Sequence, residues 1–149
     1  MGLYQEEYRR KCCTAEAIAE RIESGAVCAS GTCLSEPCSI TQALGAALRN
    51  GTRTGIVHHQ TMSVFPSPFF DDTLQGQSSA VSWFSTAYGR AAFEKGCADV
   101  MPVYYRDVPG QYRKFIDLDV FYATVSPMDR HGYFSFGTTA AECQALAEQ

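Results

Sequence analysis

The chain has 149 residues, of which 12 are Lys or Arg and 16 are Asp or Glu, so its formal net charge is −4. Apolar residues make up 46% of the sequence and charged residues 19%, a composition typical of one folded domain over residues 1–149 rather than of a disordered segment. The acidic balance argues against binding to nucleic acid or to anionic membranes. No apolar run approaches the ~20 residues that a membrane-spanning helix needs.

Short β-prone runs alternate with helical patterns along the chain, which predicts an α/β fold with a mainly parallel sheet and flanking helices. The predicted strands cover residues 26–29, 55–60, 81–85, 100–105 and 119–126. The run over 119–126 is nearly continuous in apolar residues, a pattern that indicates burial on both faces. Pro102 lacks a backbone donor, so the run over 100–105 is predicted to lie at an edge or a bulge.

Helix signals separate these strands. Thr14 is a predicted N-cap, and the helix that follows it ends before Gly25. A second helix carries apolar residues from Ile40 to Leu48, and either Ser35 or Ser39 is compatible with its start. The remaining helical segments are 89–95, a turn within 107–115, and a last helix over 139–148 with Thr139 and Glu142 as a capping box.

The cysteines indicate the cellular compartment of the protein and whether it binds a metal ion. The chain has 7 cysteines and no secretory signal, since charged residues interrupt the first eleven positions, so reduced thiols and a cytoplasmic location are expected. Cys28, Cys33 and Cys38 recur at five-residue intervals, but zinc sites more often use closer pairs with matching ligands elsewhere. We therefore expect no metal site, while a thiol or metal protein remains the weakest alternative.

Two loops that run from a strand into a helix are candidates for chemistry. Residues 125–137 carry His131, whose imidazole can donate or accept a proton, and glycines that permit close backbone approach. Equally, this segment is compatible with a well-packed turn. In the loop over 30–37, Glu36 could line a pocket, but complementing the dipole of the next helix is the simpler role. His58 and His59 must point to opposite faces of a strand, so one is expected in the core or a cleft and the other in solvent.

With these segments in view, the chain resembles the N-terminal part of the acetyl-CoA hydrolase/CoA-transferase family. The resemblance runs over most of the length. The residues that carry it are Tyr8 to Lys11, Ser24-Gly25, Ser35-Glu36-Pro37, residues 96–105 with Asp107-Val108-Pro109, and Val125-Ser126-Pro127 with the Asp129 to Gly137 loop.

The resemblance implies a fold of two stacked α/β lobes and a covalent mechanism. A glutamate carboxylate attacks the acyl-CoA thioester, and the resulting anhydride becomes a glutamyl-CoA thioester that a second carboxylate resolves. The family places that glutamate, and most contacts to coenzyme A, in the C-terminal lobe. The 149 residues are therefore expected to be the N-terminal lobe alone and to lack turnover, with coenzyme A as a substrate and no other cofactor.

The resemblance also implies which residues meet the substrate. The expected partners are a short-chain acyl-CoA, a carboxylate, and a C-terminal lobe or a second copy of the chain; a non-enzymatic protein that binds acyl-CoA or a partner chain is the alternative. The family's small-residue loop is altered here by Thr32, Cys33 and Leu34. The expected substrate-binding residues are Gly31, Thr32, Asp129, His131, Gly132, Tyr133, Ser135 and Gly137.

Overall fold

A computed structural model describes residues 3–137 and 140–149. The helices are α1 Leu3–Lys11, α2 Ala15–Ala19, α3 Cys38–Arg49, α4 Ala87–Glu94, α5 Val108–Phe115 and α6 Cys143–Ala147. The strands are β1 Val27–Ser30, β2 Ile56–Gln60, β3 Ser78–Ser82, β4 Asp99–Val100 and β5 Val120–Tyr122. Within those two ranges, no helix has both the length and the apolar character that crossing a bilayer requires.

The sheet confirms the predicted α/β class. Its strand order is β4-β3-β2-β1-β5, and every neighbouring pair is parallel. The register pairs Cys28 of β1 with His58 of β2 on one side and with Val120 of β5 on the other. Since parallel neighbours require crossover connections, helices cover both faces of this sheet.

Each face of the sheet has its own apolar core. The first core joins α2, α3 and α4 to the sheet through Ala19, Leu44, Leu48, Ala92, Cys28 and Ile56. The second core joins α5 and α6 to the opposite face through Ala29, Trp83, Val108, Tyr112 and Leu146. The central strands are thus covered on both sides.

The two adjacent histidines of β2 face opposite cores, as the strand periodicity requires. His58 stacks on Phe69 with ring centroids 4.1 Å apart, and the Trp83 indole N–H donates to His59 Nδ1 at 3.0 Å. The expectation that one of them meets solvent is wrong, because both are buried. The expectation assumed a sheet with one face exposed to solvent, whereas helices cover both faces of this sheet.

Capping chemistry predicts one helix start correctly and misses another. The Thr14 hydroxyl accepts a hydrogen bond from the Ala17 N–H at 3.2 Å, which confirms Thr14 as the N-cap of α2. Neither Ser35 nor Ser39 begins α3: Pro37 is its N-cap, without a side-chain cap bond. Ser35 instead ends a short 3-10 turn, Cys33–Ser35, which directs the chain into the helix.

Strand bounds differ most where tertiary pairing decides them. The third strand lies at 78–82 rather than 81–85, and β4 has two residues and ends before Pro102, at a sheet edge. The strand predicted over 119–126 is present but shorter, as the three-residue strand β5 at the other edge of the sheet. The predicted burial on both faces is wrong, because Val120 and Phe121 are only partly buried.

The helical segments also differ from the pattern. The sequence pattern does not predict α1, and α5 has 8 residues rather than a single turn. The last helix begins at Cys143 instead of 139, and Thr139 lies outside the described residues. Glu142 does not cap α6 through its side chain. Its carboxylate is buried and accepts a hydrogen bond from Thr32, so a tertiary contact takes the place of the local one.

Candidate functional site

The loops that follow β1 and β2 are bonded together at the carboxyl edge of the sheet. The Gly31 N–H donates to the Tyr122 carbonyl of β5 at 2.9 Å, and the Cys33 N–H donates to the Met62 carbonyl at 3.0 Å. In open parallel sheets, ligands bind beyond this edge. The predicted residues Gly31 and Thr32 therefore lie where the fold class places its sites.

Gly31 has a packing role at this edge. A Cβ at this position would lie 2.5 Å from the Ser35 carbonyl oxygen and 3.0 Å from Ala123 Cβ. Only glycine allows so close an approach between this position, the turn at Ser35 and the Ala123 side chain. Gly31 thus brings its loop close enough for Thr32 to turn inward.

Thr32 belongs to a buried group of hydroxyls around one carboxylate. We call Thr32, Thr61 and Tyr112 the hydroxyl cluster; their exposures are 4%, 1% and 0%. The Thr32 hydroxyl donates to Glu142 Oε1, and Glu142 is 3% exposed. Burial and then the Glu142 charge raise the pKa of Tyr112, which the facing Thr61 hydroxyl lowers. The carboxylate and the three hydroxyls therefore share one interior region.

The hydroxyl cluster is incompletely satisfied. Glu142 Oε2 is buried and has no hydrogen-bond partner in the part of the chain that the structure describes, and the buried Thr61 and Tyr112 hydroxyls face each other without forming a well-formed hydrogen bond there. A buried polar group without a partner costs about 1–3 kcal/mol. Three such atoms in one place mark a functional candidate rather than ordinary core packing.

A second buried carboxyl lies on the other side of the sheet. Glu36 is 5% exposed; Gln60 Nε2 donates to its Oε1 at 2.7 Å, and the Ser63 hydroxyl contacts its Oε2 at 2.9 Å. Burial raises the pKa of Glu36 to about 7, against the opposing effect of these two bonds. Glu36 lies directly before the N-cap of α3, and beyond any effect on the helix dipole its carboxyl contacts the end of β2 and the loop that follows it.

Proton counting favours the neutral form of Glu36. The single proton of the Ser63 hydroxyl faces Glu36 Oε2 and also the Phe65 carbonyl at 3.0 Å, and both are acceptors when Glu36 is ionised. When ionised, Glu36 accepts from the Ser63 hydroxyl; when protonated, it can instead donate to Ser63, which then donates to Phe65. In both forms Glu36 ties together the loops that follow β1 and β2.

The predicted loop around His131 is a compact, exposed turn. Asp129 Oδ1 accepts from the His131 N–H at 2.8 Å and from the Tyr133 N–H at 2.9 Å. The bond from Tyr133, together with that from His131, lowers the pKa of Asp129. Arg130 Nε donates to His131 Nε2 at 2.9 Å, and Tyr133 is 73% exposed. Asp129 thus organises the turn, and the other side chains face outward.

The end of the predicted loop is held by local bonds. The Ser135 N–H donates to Ser126 Oγ at 2.9 Å, and the Gly137 N–H donates to Ser135 Oγ at 3.0 Å. Gly137 has φ +67°, a conformation that favours glycine. These two predicted residues shape the backbone of the loop.

The turn also packs against α1. Gly132 has φ +90°, and a Cβ there would lie 2.8 Å from the Tyr4 ring. The Tyr8 and Phe134 rings have centroids 5.9 Å apart. Between α1 and the turn lies an open cavity of about 360 Å³. The first helix, which the sequence pattern does not predict, thus packs against this loop.

The predicted site residues fall into two groups with different neighbours. Gly31 and Thr32 contact the strand ends and Glu142, whereas Asp129, His131, Gly132 and Tyr133 form the turn on α1. Sequence reasoning missed Thr61, Tyr112 and Glu142. The available signal was the polar pair that ends β2, because a buried parallel strand finishing in Gln-Thr points polar atoms into the interior.

The three evenly spaced cysteines do not converge. Cys28 is buried in β1 within the first core, Cys33 lies in the following loop, and Cys38 begins α3. In the described ranges, no three His, Cys, Asp or Glu side chains are grouped so that they could hold a metal ion.

Comparison with known proteins confirms the resemblance. The family profile of the acetyl-CoA hydrolase/transferase N-terminal domain matches residues 2–149. The succinyl-CoA:cyclohexane-1-carboxylate CoA transferase of Geobacter metallireducens is 34% identical over 142 residues, which cover 93% of this chain and 31% of that protein. The butyryl-CoA:acetate CoA-transferase of Anaerostipes caccae is 30% identical, with 98% and 33% covered. The chain therefore spans about a third of the length of these relatives.

Solved structures share the fold. RipA from Yersinia pestis superposes with a TM-score of 0.83 at 26% identity, over 91% of this chain and 34% of that one. A 4-hydroxybutyrate CoA-transferase from Porphyromonas gingivalis, 23% identical, has a TM-score of 0.64 over 97% of this chain and 32% of its own. With the family profile covering nearly every residue, the chain belongs to the acetyl-CoA hydrolase/transferase N-terminal domain family.

Proposed function

We propose that these 149 residues form, as one domain, the N-terminal lobe of a cytoplasmic acyl-CoA:carboxylate CoA-transferase. The reaction moves coenzyme A between a short-chain acyl-CoA and acetate or a similar carboxylate through a glutamyl-CoA intermediate. Coenzyme A is a substrate, and the proposal requires no other cofactor. The observation that carries the proposal is the family match over residues 2–149, together with relatives that are CoA-transferases.

The proposed division of labour leaves the nucleophile outside these residues. The chain corresponds to about a third of its relatives' length, so a second lobe supplies the attacking glutamate and most contacts to coenzyme A. Two carboxyl groups of this chain, Glu36 and Glu142, are buried in bonded positions and face away from solvent. Alone, the 149 residues are expected to have no turnover.

We assign the acyl side of the cleft to the loop at Gly31 and Thr32, which lies at the carboxyl edge. The turn over residues 129–137 is assigned to the mouth of the cleft, where Asp129, Gly132, Ser135 and Gly137 shape the backbone and the outward side chains of His131 and Tyr133 meet substrate. The exposed His131 and Tyr133 side chains support this assignment. Replacing Tyr133 should then raise KM more than it lowers kcat.

A second candidate is a non-enzymatic protein that binds acyl-CoA, a partner chain or a second copy. Exposed apolar side chains favour it: Leu34, Tyr104 and Phe115 are 65%, 76% and 74% exposed. Such residues mark association surfaces when they form a patch. Sedimentation of the purified chain tests this candidate, since a clean monomer at high concentration argues against self-association.

Reconstitution tests the enzymatic proposal. The 149-residue chain is mixed with the separately expressed remaining two-thirds of the Anaerostipes caccae transferase, and coenzyme A exchange between butyryl-CoA and acetate is followed. We expect no exchange by the chain alone, exchange by the mixture, and a glutamyl-CoA adduct in the mass spectrum of the other polypeptide.

The matched control splits the Anaerostipes caccae transferase itself into the same two parts. If its own halves reconstitute exchange and the mixture with this chain does not, the proposed role is refuted. Exchange by the 149 residues alone would refute the placement of the nucleophile in another lobe.

A further inference from the structure

The Glu142 carboxylate lies among hydroxyl donors at the carboxyl edge of the sheet. Thr32 follows β1, Thr61 follows β2, and Tyr112 comes from α5, so three separate elements aim their hydroxyls at one interior region. The carboxylate itself comes from the residue that precedes α6. Glu142 is the N-cap residue of α6, but its side chain makes no cap bond and accepts from Thr32 instead.

The Glu142 carboxylate, which is fixed to the backbone, satisfies only part of the hydrogen-bonding capacity of the hydroxyl cluster. Glu142 Oε1 accepts from Thr32, but Oε2 has no partner within the described residues, and the Thr61 and Tyr112 hydroxyls face each other without a well-formed bond. Hydrogen bonds from hydroxyls to an ionised oxygen are roughly twice as strong as neutral ones. A free carboxylate, which can rotate and shift without moving a helix, could accept from all three hydroxyls at once.

We propose that the hydroxyl cluster is a binding site for a small free monocarboxylate and that Glu142 occupies this site in the structure. The inference rests on the proposed function, in which a carboxylate accepts coenzyme A, and it deepens that function by naming the side chains that hold the acceptor. Thr32 belongs both to the hydroxyl cluster and to the predicted acyl-side loop, so the two sites adjoin.

The chemistry of the site selects the class of ligand. Threonine and tyrosine hydroxyls donate to an anion, and Thr32 already does so. The part of Glu142 beyond Cβ has the atoms of acetate, so the space that it fills is acetate-sized. Tyr112 belongs to the second apolar core together with Leu146 and Val108, which is compatible with a ligand that has a short apolar tail.

Chemical rescue by acetate tests the proposal. The variant Glu142→Ala removes the internal carboxylate, and acetate is titrated while the methyl signals of Thr32 and Thr61 are followed by NMR. We expect saturable acetate binding in the millimolar range, and binding at least about tenfold weaker in the wild-type chain, where the tethered Glu142 competes at high effective concentration.

Three controls address specificity. Acetamide, which has the shape of acetate but no charge, should bind at least about tenfold more weakly to Glu142→Ala. Glu142→Gln keeps the space filled and should bind no acetate. Glu148→Ala removes an exposed carboxylate from the end of the same helix and should behave like the wild-type chain.

Conservative changes in the cluster locate the site. In the Glu142→Ala background, Thr32→Val and Tyr112→Phe should each weaken acetate binding about tenfold while the thermal unfolding midpoint without acetate stays close to that of the single variant. The proposal is overturned if Glu142→Ala binds acetate no better than acetamide, or if both double variants bind it as well as the single one. Acetate binding by Glu142→Gln would overturn it too, because the amide side chain still fills the site.

These outcomes are separable from the proposed function. Acetate binding is measured without turnover and without a second lobe. Loss of the binding result would leave the reconstitution experiment intact, and failed reconstitution would leave the binding result standing.

Discussion

The protonation of Glu36 offers a direct test of how the two loops at the carboxyl edge are joined. Glu36→Gln is an isosteric replacement that is neutral at every pH. Its amide can donate to Ser63 Oγ, as the protonated acid does, while its oxygen accepts from Gln60. The substitution therefore keeps the hydrogen bonds and removes only the titration.

The magnitude follows from the pKa of Glu36. A carboxyl group with a pKa of about 7 in the folded chain and 4.5 when unfolded binds more protons in the folded state between these values. Its stabilising contribution is complete below pH 4.5 and is lost as the pH rises through 7. At about 1.4 kcal/mol per pH unit, the loss reaches about 3 kcal/mol.

Urea denaturation at pH 5, 6, 7 and 8 measures the difference between Glu36→Gln and the wild-type chain. We expect the two to agree within about 1 kcal/mol at pH 5 and the variant to be more stable by about 3 kcal/mol at pH 8. The exposed Glu94→Gln controls for removing one negative charge. A difference that stays constant with pH, or that favours the wild-type chain as pH rises, would refute the reasoning.

Burial lowers the pKa of His58 to about 3 and of His59 to about 4, so both are neutral when folded. The unfolded chain binds protons at both histidines below about pH 6.5 and the folded chain does not, so the free energy of unfolding falls as the pH falls. Urea titrations should show a net decrease of about 2–3 kcal/mol from pH 6.5 to 4.5, because the opposite effect of Glu36 offsets only part of the loss. Gly31→Ala places a Cβ 2.5 Å from a backbone oxygen and should lower the free energy of unfolding, measured by thermal unfolding, by about 1–3 kcal/mol. Gly110→Ala in α5, where a Cβ meets open space, should not lower it. Equal effects of the two substitutions would contradict the packing argument. Gly132→Ala puts a side chain at φ +90° against α1, which costs roughly 1–3 kcal/mol of strain. Amide hydrogen exchange in α1 should therefore become at least about tenfold faster. Unchanged exchange would show that the turn does not hold the helix.

Local chemistry explains the parts of the fold that the sequence predicts correctly. The alternation of β-prone runs with helical patterns predicts the parallel sheet, and the Thr14 hydroxyl caps α2. The opposite orientation of His58 and His59 follows from the two-residue period of a strand. These features depend on residues a few positions apart, so one-dimensional patterns contain them.

The sequence predicts only part of the candidate site. The family resemblance predicts Gly31 and Thr32, and the structure places them at the carboxyl edge. The prediction for Glu142 is wrong because a Thr-x-x-Glu pattern indicates a local cap, while the structure joins this residue to Thr32, 110 residues away. A local pattern cannot tell a cap from a side chain that finds a distant partner.

By itself, the sequence determined the α/β class, the family and the order in which strands and helices occur after α1. Only the tertiary structure decided that the apolar run near residue 121 is an edge strand, that both histidines of β2 are buried, and that Glu142 sits among the hydroxyls of Thr32, Thr61 and Tyr112. The reason is physical. Backbone propensity acts within a few residues, whereas burial and the partners of buried polar groups depend on which segments the packed sheet brings together.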